Sequence, residues 1–184
     1  MRFVFYCMLL CLLLVFTGCE ASKSTTSAPM AHQTTSGKIY TIDFPAGWKV
    51  EELDSALFPG ASGEMASNEN GAIILVAKSD KAYDFSKHYD LITNDLAVVF
   101  ADQLFTPLVQ TICPTAGLGG PPSITPLNDG RSIQAMYVCE DEVLWLNTVF
   151  GKKNAFMILA TGDKSDRDAA NAAMKCRNSF KLLE

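Results

Sequence analysis

The sequence predicts an α+β fold, an antiparallel β-sheet flanked by two main helices, placed after a signal peptide and a flexible tether. Three observations carry this. Short stretches of β-favouring residues are joined by turn signals such as Asn70-Gly71 and Asp129-Gly130, the mark of hairpins. Two other stretches, Asp84 to about Leu104 and Asp163 to Phe180, instead place apolar residues three and four apart. The resulting order is strands, helix, strands, helix, with short hairpin connections, the layout of an antiparallel sheet flanked by helices.

The chain of 184 residues opens with "MRFVFYCMLLCLLLVFTGCE", in which Arg2 precedes an apolar run from Phe3 to Phe16. As a helix that run spans about 21 Å, short of the roughly 30 Å of a bilayer core, so residues 1–18 are expected to be a secretion signal. Residues Phe16-Thr17-Gly18-Cys19 resemble the lipobox of bacterial lipoproteins, with Phe16 where Leu is commonest. The resemblance implies that the Cys19 thiol is alkylated by diacylglycerol, the signal is cut before it, and the new amino group is acylated. Three acyl chains hold a protein on a membrane permanently, where a single chain does not. Among lipoproteins an Asp after the cysteine tends to retain the protein in the inner membrane, so Glu20 implies an outer-membrane protein facing the periplasm.

Removal of residues 1–18 leaves 166 residues, enough for one domain with a sizeable core. The whole-chain charge of −5 becomes −6 when Arg2 is lost, which excludes nucleic-acid binding through a basic surface. Residues 19–37 form the lipidated cysteine and its linker: "EASKSTTSAPMAHQTTSG" has eight Ser or Thr in eighteen residues and little to bury. His32 falls in this linker. The folded domain is expected over residues 38–184.

In "KIYTIDFPAGWKV", Tyr40, Ile42 and Phe44 share a strand face, Pro45-Ala46-Gly47 turns the chain, and Trp48 begins a new extended piece. Strands from Gly63 to Ser67 and from Ala72 to Lys78 flank the Asn68–Gly71 hairpin turn. The second reads "AIILVA", apolar on both faces, and is expected to be central and covered on both sides. The first helix carries Phe85, Tyr89, Ile92, Leu96, Val99 and Phe100 on one face, with Asp84 as its N-cap. An irregular stretch from Phe105 to Pro122 holds "TICPTAGLGGPP". A short strand at Ser123 to Pro126 follows, then a meander of Arg131 to Cys139, Val143 to Phe150 and Asn154 to Thr161. Asp163 or Ser165 is the expected cap of the closing helix, whose inner stripe is Ala169, Ala173, Cys176 and Phe180.

The "YTIDFPAGW" opening, the hairpin with its long amphipathic helix, the meander and the closing helix together resemble the PsbP-like superfamily. The likeness is greatest to the DcrB type of envelope lipoprotein and runs from about Ile39 to Leu183, the segment from Phe105 to Pro122 being a departure from that type. It implies an accessory or binding module of membrane assemblies, non-catalytic and without cofactors. The expected partners are the membrane, through the N-terminal lipid, and an envelope protein or small ligand.

The residues themselves offer little catalytic chemistry. His88 is the one histidine outside the linker, and helical spacing would align it with Asp84, Asp95 and Asp102 in an acidic stripe. A solvated helix face explains that stripe; a secreted hydrolase or metal-dependent enzyme using His88 is the alternative. "GLGG" at Gly117 to Gly120 runs into Pro121-Pro122 and not into a helix, so it is not a phosphate loop. Ser62 lacks a nucleophile elbow. Glu140-Asp141-Glu142 reads as an ordinary soluble turn before a calcium site. Trp48 and Trp145 read as core, or as the lining of a groove between sheet and helix.

Beyond Cys19, the cysteines of the mature chain are Cys113, Cys139 and Cys176. In a meander, Cys139 and Thr161 lie at the same end of the sheet, and the closing helix starts there and runs away. That puts Cys176 about 20 Å from Cys139 along the axis, too far for a disulfide. The strand at Ser123 instead brings the loop carrying Cys113 past Cys139. A Cys113–Cys139 disulfide with Cys176 reduced and buried is therefore expected.

Overall fold

The computed structural model describes residues 33–36, 39–54, 56, 60–81, 85–127 and 130–183. The expected signal peptide, Cys19, His32 and Asp84 lie outside them. The architecture is the expected α+β one, built on a large antiparallel sheet. In chain order the strands are β1 (Gln33–Ser36), β2 (Tyr40–Phe44), β3 (Lys49–Glu52), β4 (Ala61–Ser67) and β5 (Ile73–Ser79). After the first helical region come β6 (Gly117–Leu118), β7 (Ser123–Leu127), β8 (Gly130–Cys139), β9 (Glu142–Gly151) and β10 (Ala155–Asp163). The chain closes with α3 (Arg167–Ser179) and β11 (Lys181–Leu182). The large sheet runs β3-β4-β5-β10-β9-β8-β6, with β7 also pairing with β8. A second sheet, β1-β2-β11, brings the two ends of the domain together.

Four residues expected in the flexible linker belong to this second sheet: β1 pairs antiparallel with β2, Gln33 opposite Phe44. The linker reading rested on low hydrophobicity, and an edge strand needs backbone partners more than buried side chains.

Alternation along the central strands divides the core in two. Leu75 and Ala77 of β5 face one side with Tyr137, Leu144, Leu146 and Leu159. Ile74 and Val76 face the other with Trp145, Val149, Phe156 and Ile158. Thus β5 is covered on both faces, as its unbroken apolar sequence requires. The first side is roofed by the helical region and the second by α3 and the small sheet, giving three layers. On the second side Tyr40, Phe156 and Phe180 pack ring against ring, with centroids 5.3 to 5.5 Å apart.

The first helical region is not the single helix from Asp84 to Leu104 that periodicity suggested. It begins with a 3-10 turn at Ser86–Leu91, breaks, and restarts as α1 (Asn94–Phe100). Thr93 caps α1, its hydroxyl accepting from the Leu96 N–H at 3.3 Å. A π-helical turn at Ala101–Phe105 leads into α2 (Thr106–Ile112), so the helix also continues eight residues past its expected end. Pro107 has no N–H to donate, and it sits in the first turn of α2 where none is needed. At the widened turn the Ala101 carbonyl accepts from both the Thr106 N–H and the Tyr137 hydroxyl, the latter at 3.0 Å. Ala97, Ala101, Phe105 and Val109 still form one buried line against the sheet.

At the other end of the chain, the cap of α3 is Asp166, not Asp163 or Ser165. Its carboxylate accepts from the Ala169 N–H at 2.9 Å. Asp163 accepts from the Ser165 N–H and hydroxyl instead, which holds its carboxyl below the usual range. The expected inner stripe is intact: Ala169, Ala173, Cys176 and Phe180 are all buried, joined by Ala172.

Candidate functional site

Cys113 and Cys139 are joined, with Cα atoms 6.2 Å apart. Cys113 caps α2 and Cys139 ends β8, so the bond ties the helical layer to the sheet. The loop reaches Cys139 because β6 enters beside β8, Gly117 opposite Val138 and Leu118 opposite Tyr137. Cys176 is free and buried, and burial, with the Asp43 charge as a smaller cause, pushes its thiol up to about 12.

"GLGG" is an edge strand and the loop after it. A Cβ on Gly119 would lie 2.7 Å from Met136 Cε and 3.0 Å from Val138 Cγ2, so this loop closes directly over the β8 side chains. His88 is exposed in the 3-10 turn, while Asp95 and Asp102 lie beyond the break at Ile92–Thr93. That break removes the regular helical spacing that would align them. No group of three or more metal-ligating side chains occurs among the described residues. Ser62 is exposed on β4. At the acidic tip Glu140 takes a positive φ of 36°, and the carbonyls of Glu140 and Asp141 accept from the ammonium and the N–H of Lys164. Burial, and secondarily Asp163, raises the Glu142 carboxyl. Trp145 is buried and Trp48 half-buried against the same cluster, which is the core reading of both.

A different set of side chains stands out, and it lies on the sheet face that α3 covers only in part. The helix packs on β10, β5 and β2, while Leu182 of β11 lies over Gly130 at the start of β8 on the same face. By register, Thr125 lies opposite Ser132, Ser123 opposite Gln134, and Gln134 opposite Asn147. These five form a continuous polar row across three strands. Gln134 donates to the Thr125 hydroxyl at 2.9 Å. Ser123 is exposed and Thr125 and Gln134 are half-buried, whereas Ser132 is 1% and Asn147 6% exposed. The Ser132 hydroxyl and the Asn147 side-chain carbonyl have no hydrogen-bond partner in the protein. A buried polar group left unpaired costs about 1–3 kcal/mol, so two set diagonally across β8 and β9 on one face ask for an explanation. Met136 and Val138, each 36% exposed, continue the row as an apolar rim beside Trp145.

Sequence reasoning passed over this row. In "RSIQAMYVC" the residues Ser132, Gln134, Met136 and Val138 alternate with an apolar face, and alternation alone assigns them to solvent. The one available signal was Asn147, a lone amide that follows the apolar run "VLWL" in a strand central to the meander.

The three layers, the antiparallel sheet and the closing helix define a PsbP-like fold. The chain is similar to cyanobacterial PsbP (CyanoP) from Synechocystis sp. PCC 6803, with a TM-score of 0.54 and 14% identity, covering 89% of this chain and 98% of that one. It also aligns with LpqN, involved in cell envelope biogenesis of Mycobacterium tuberculosis, with a TM-score of 0.48 and 13% identity, over 84% of this chain and 92% of that one. No protein-family model matches the chain. No characterised protein sequence matches it either.

Proposed function

We propose that the protein is a non-catalytic binding module held by an N-terminal lipid on the periplasmic side of a bacterial outer membrane, a lipoprotein of the DcrB type. The observation that carries the binding reading is the PsbP-like fold shared with CyanoP, since members of the superfamily that the sequence resembles serve mostly as non-catalytic accessory or binding modules of membrane assemblies. Two further features support the compartment. "FTGC" ends an apolar run too short to span a bilayer, and the Cys113–Cys139 disulfide suits an oxidising environment.

The test is Cys19→Ser. In cells fed labelled palmitate, the wild-type chain is expected to take up label and fractionate with the outer membrane. The variant is expected to lose the label and to leave the membrane fraction or remain unprocessed. A variant cut at the same bond and still membrane-bound would overturn the lipid-anchor reading.

A further inference from the structure

We infer that the outer face of α1 is a docking surface for a basic, apolar segment of a partner protein, an amphipathic helix whose apolar ridge is flanked by Lys or Arg. The inference deepens the binding-module reading and rests on it. Asp95, Val98, Val99 and Asp102 occupy this face. By helical spacing they fall within roughly 100° of one another around the axis, the two valines lying between two acidic residues that are about 10 Å apart along it. Val98 is 55% and Val99 45% exposed, and Leu91, at the end of the preceding 3-10 turn, is 66% exposed. None of the three belongs to either core cluster. Asp95 and Asp102 are exposed as well.

Single apolar residues at a surface are ordinary, but these adjacent valines do not serve the fold. Val is a weaker helix former than Ala, because its branched side chain is restricted against the preceding turn, and here no core contact offsets that. Periodicity sets Val99 on the inner face with Leu96 and Phe100. In the structure the line through Ala97, Ala101, Phe105 and Val109 meets the sheet, and Val99 turns to solvent.

The charge around the valines selects the occupant. From Asn94 to Gly130 the chain has no Lys, Arg or His. Neither Asp95 nor Asp102 forms an ion pair among the described residues. The strands that α1 packs on, β7 and β8, contribute one cation, Arg131, and its guanidinium lies over the Tyr89 ring, 5.6 Å from the centroid. Lys87 and His88 stand before the break, on the 3-10 turn with Asp90. An anionic partner is therefore repelled, and an uncharged apolar one would desolvate two carboxylates without supplying a counter-charge. A partner helix with cations at i and i+7 and apolar residues between them meets both needs. Its cations stay at the polar rim beside Asp95 and Asp102 while its apolar residues cover Val98 and Val99.

The experiment is titration of the full chain with a synthetic Leu/Lys peptide of amphipathic helical pattern, blocked at both ends, followed by valine-methyl NMR shifts. Three probes run in parallel: the same peptide in scrambled order, its Leu/Glu counterpart, and phosphatidylglycerol vesicles. The expected result is saturable shifts at Val98 and Val99 with the ordered Leu/Lys peptide alone. The Val98→Ala, Val99→Ala variant is expected to weaken binding at least about tenfold and to leave Tm unchanged or raised, since Ala favours the helix. The Asp95→Asn, Asp102→Asn variant is expected to weaken binding several-fold and to flatten its salt dependence, and it serves as the test if the valine variant does not fold. Glu140→Gln with Asp141→Asn, at the acidic tip, is expected to leave binding unchanged. Equal shifts with the scrambled peptide, shifts that map to the acidic tip, or binding that both α1 variants leave intact would mean attraction by net charge alone, and overturn the inference. Shifts with the vesicles alone assign the face to a membrane, and valine shifts that grow with protein concentration without peptide assign it to a second copy; either overturns it. Absence of shifts with every probe overturns it equally. None of these outcomes bears on acylation of Cys19, so the anchor and the docking face fail separately.

Discussion

At Glu64 the small sheet is fastened to the large one by a single hydrogen bond from the Tyr40 hydroxyl, 3.1 Å long. Burial raises the Glu64 carboxyl above its ordinary value of 4.5, the Tyr40 bond lowers it in part, and the charge of Glu52 on the neighbouring strand raises it again. Because the folded state binds this proton more tightly than the unfolded chain, the group favours folding below the unfolded value. That contribution is lost as pH rises from about 4.5 through the higher folded value. Glu64→Gln keeps an acceptor for Tyr40 without the charge. Thermal unfolding is expected to show the variant unchanged near pH 4 and more stable than wild type at pH 7. Equal Tm differences at both pH values would contradict the assignment. His88 is the contrasting residue, exposed on a short turn and separated from Asp95 and Asp102 by the break before α1. His88→Ala is expected to shift unfolding by no more than about 0.5 kcal/mol and to complement a deletion strain at normal abundance. A folded His88→Ala protein that fails to complement would restore the hydrolase or metal reading.

Among the elements, the helical layer is bound to the sheet by α1 and α2 packing and by the Cys113–Cys139 bond, which closes a loop with a sequence separation of 26. For a loop of that length the constraint on the unfolded chain is worth about 3–4 kcal/mol. Denaturant unfolding of the Cys113→Ala, Cys139→Ala double variant is expected to show a loss of that size, with β6 and the α2–β6 loop losing hydrogen-exchange protection first. Uniform loss of protection across the sheet would mean that the bond does not act on this layer. The pairing itself followed from topology, because strand order fixes which sheet end each cysteine reaches. The helix ends did not follow. Periodicity put Leu96, Val99 and Phe100 on the inner face, but Leu96 and Phe100 are half-buried, Val99 is 45% exposed, and the buried line runs through Ala97, Ala101, Phe105 and Val109. Nor did it foresee that Pro107, a helix breaker in the interior, is harmless where a π-helical turn opens a new first turn.

Over the whole molecule, hydrophobic patterning was enough to make β5 an interior strand covered on both faces, to align the β8-β9-β10 meander and to set α3 on its alanine stripe. What it could not reach was the buried polar row. Ser132 and Asn147 become conspicuous only when the register sets them diagonally on one buried face, Gln134 standing opposite Asn147, a relation between β8 and β9 that no single strand carries. The N-terminal strand β1 likewise shows its role only in space. It pairs with β2 at the edge of the domain, directly after the segment expected to lead back to Cys19, so the tether would enter the fold through a hydrogen-bonded strand. The measurement that tests the account most directly is the intact mass and N-terminal fragment spectrum of the protein extracted from its native membrane. The account predicts a chain beginning at Cys19 that carries a diacylglyceryl thioether and an amide-linked acyl group. A chain beginning at any other residue, or an unmodified Cys19, would contradict it.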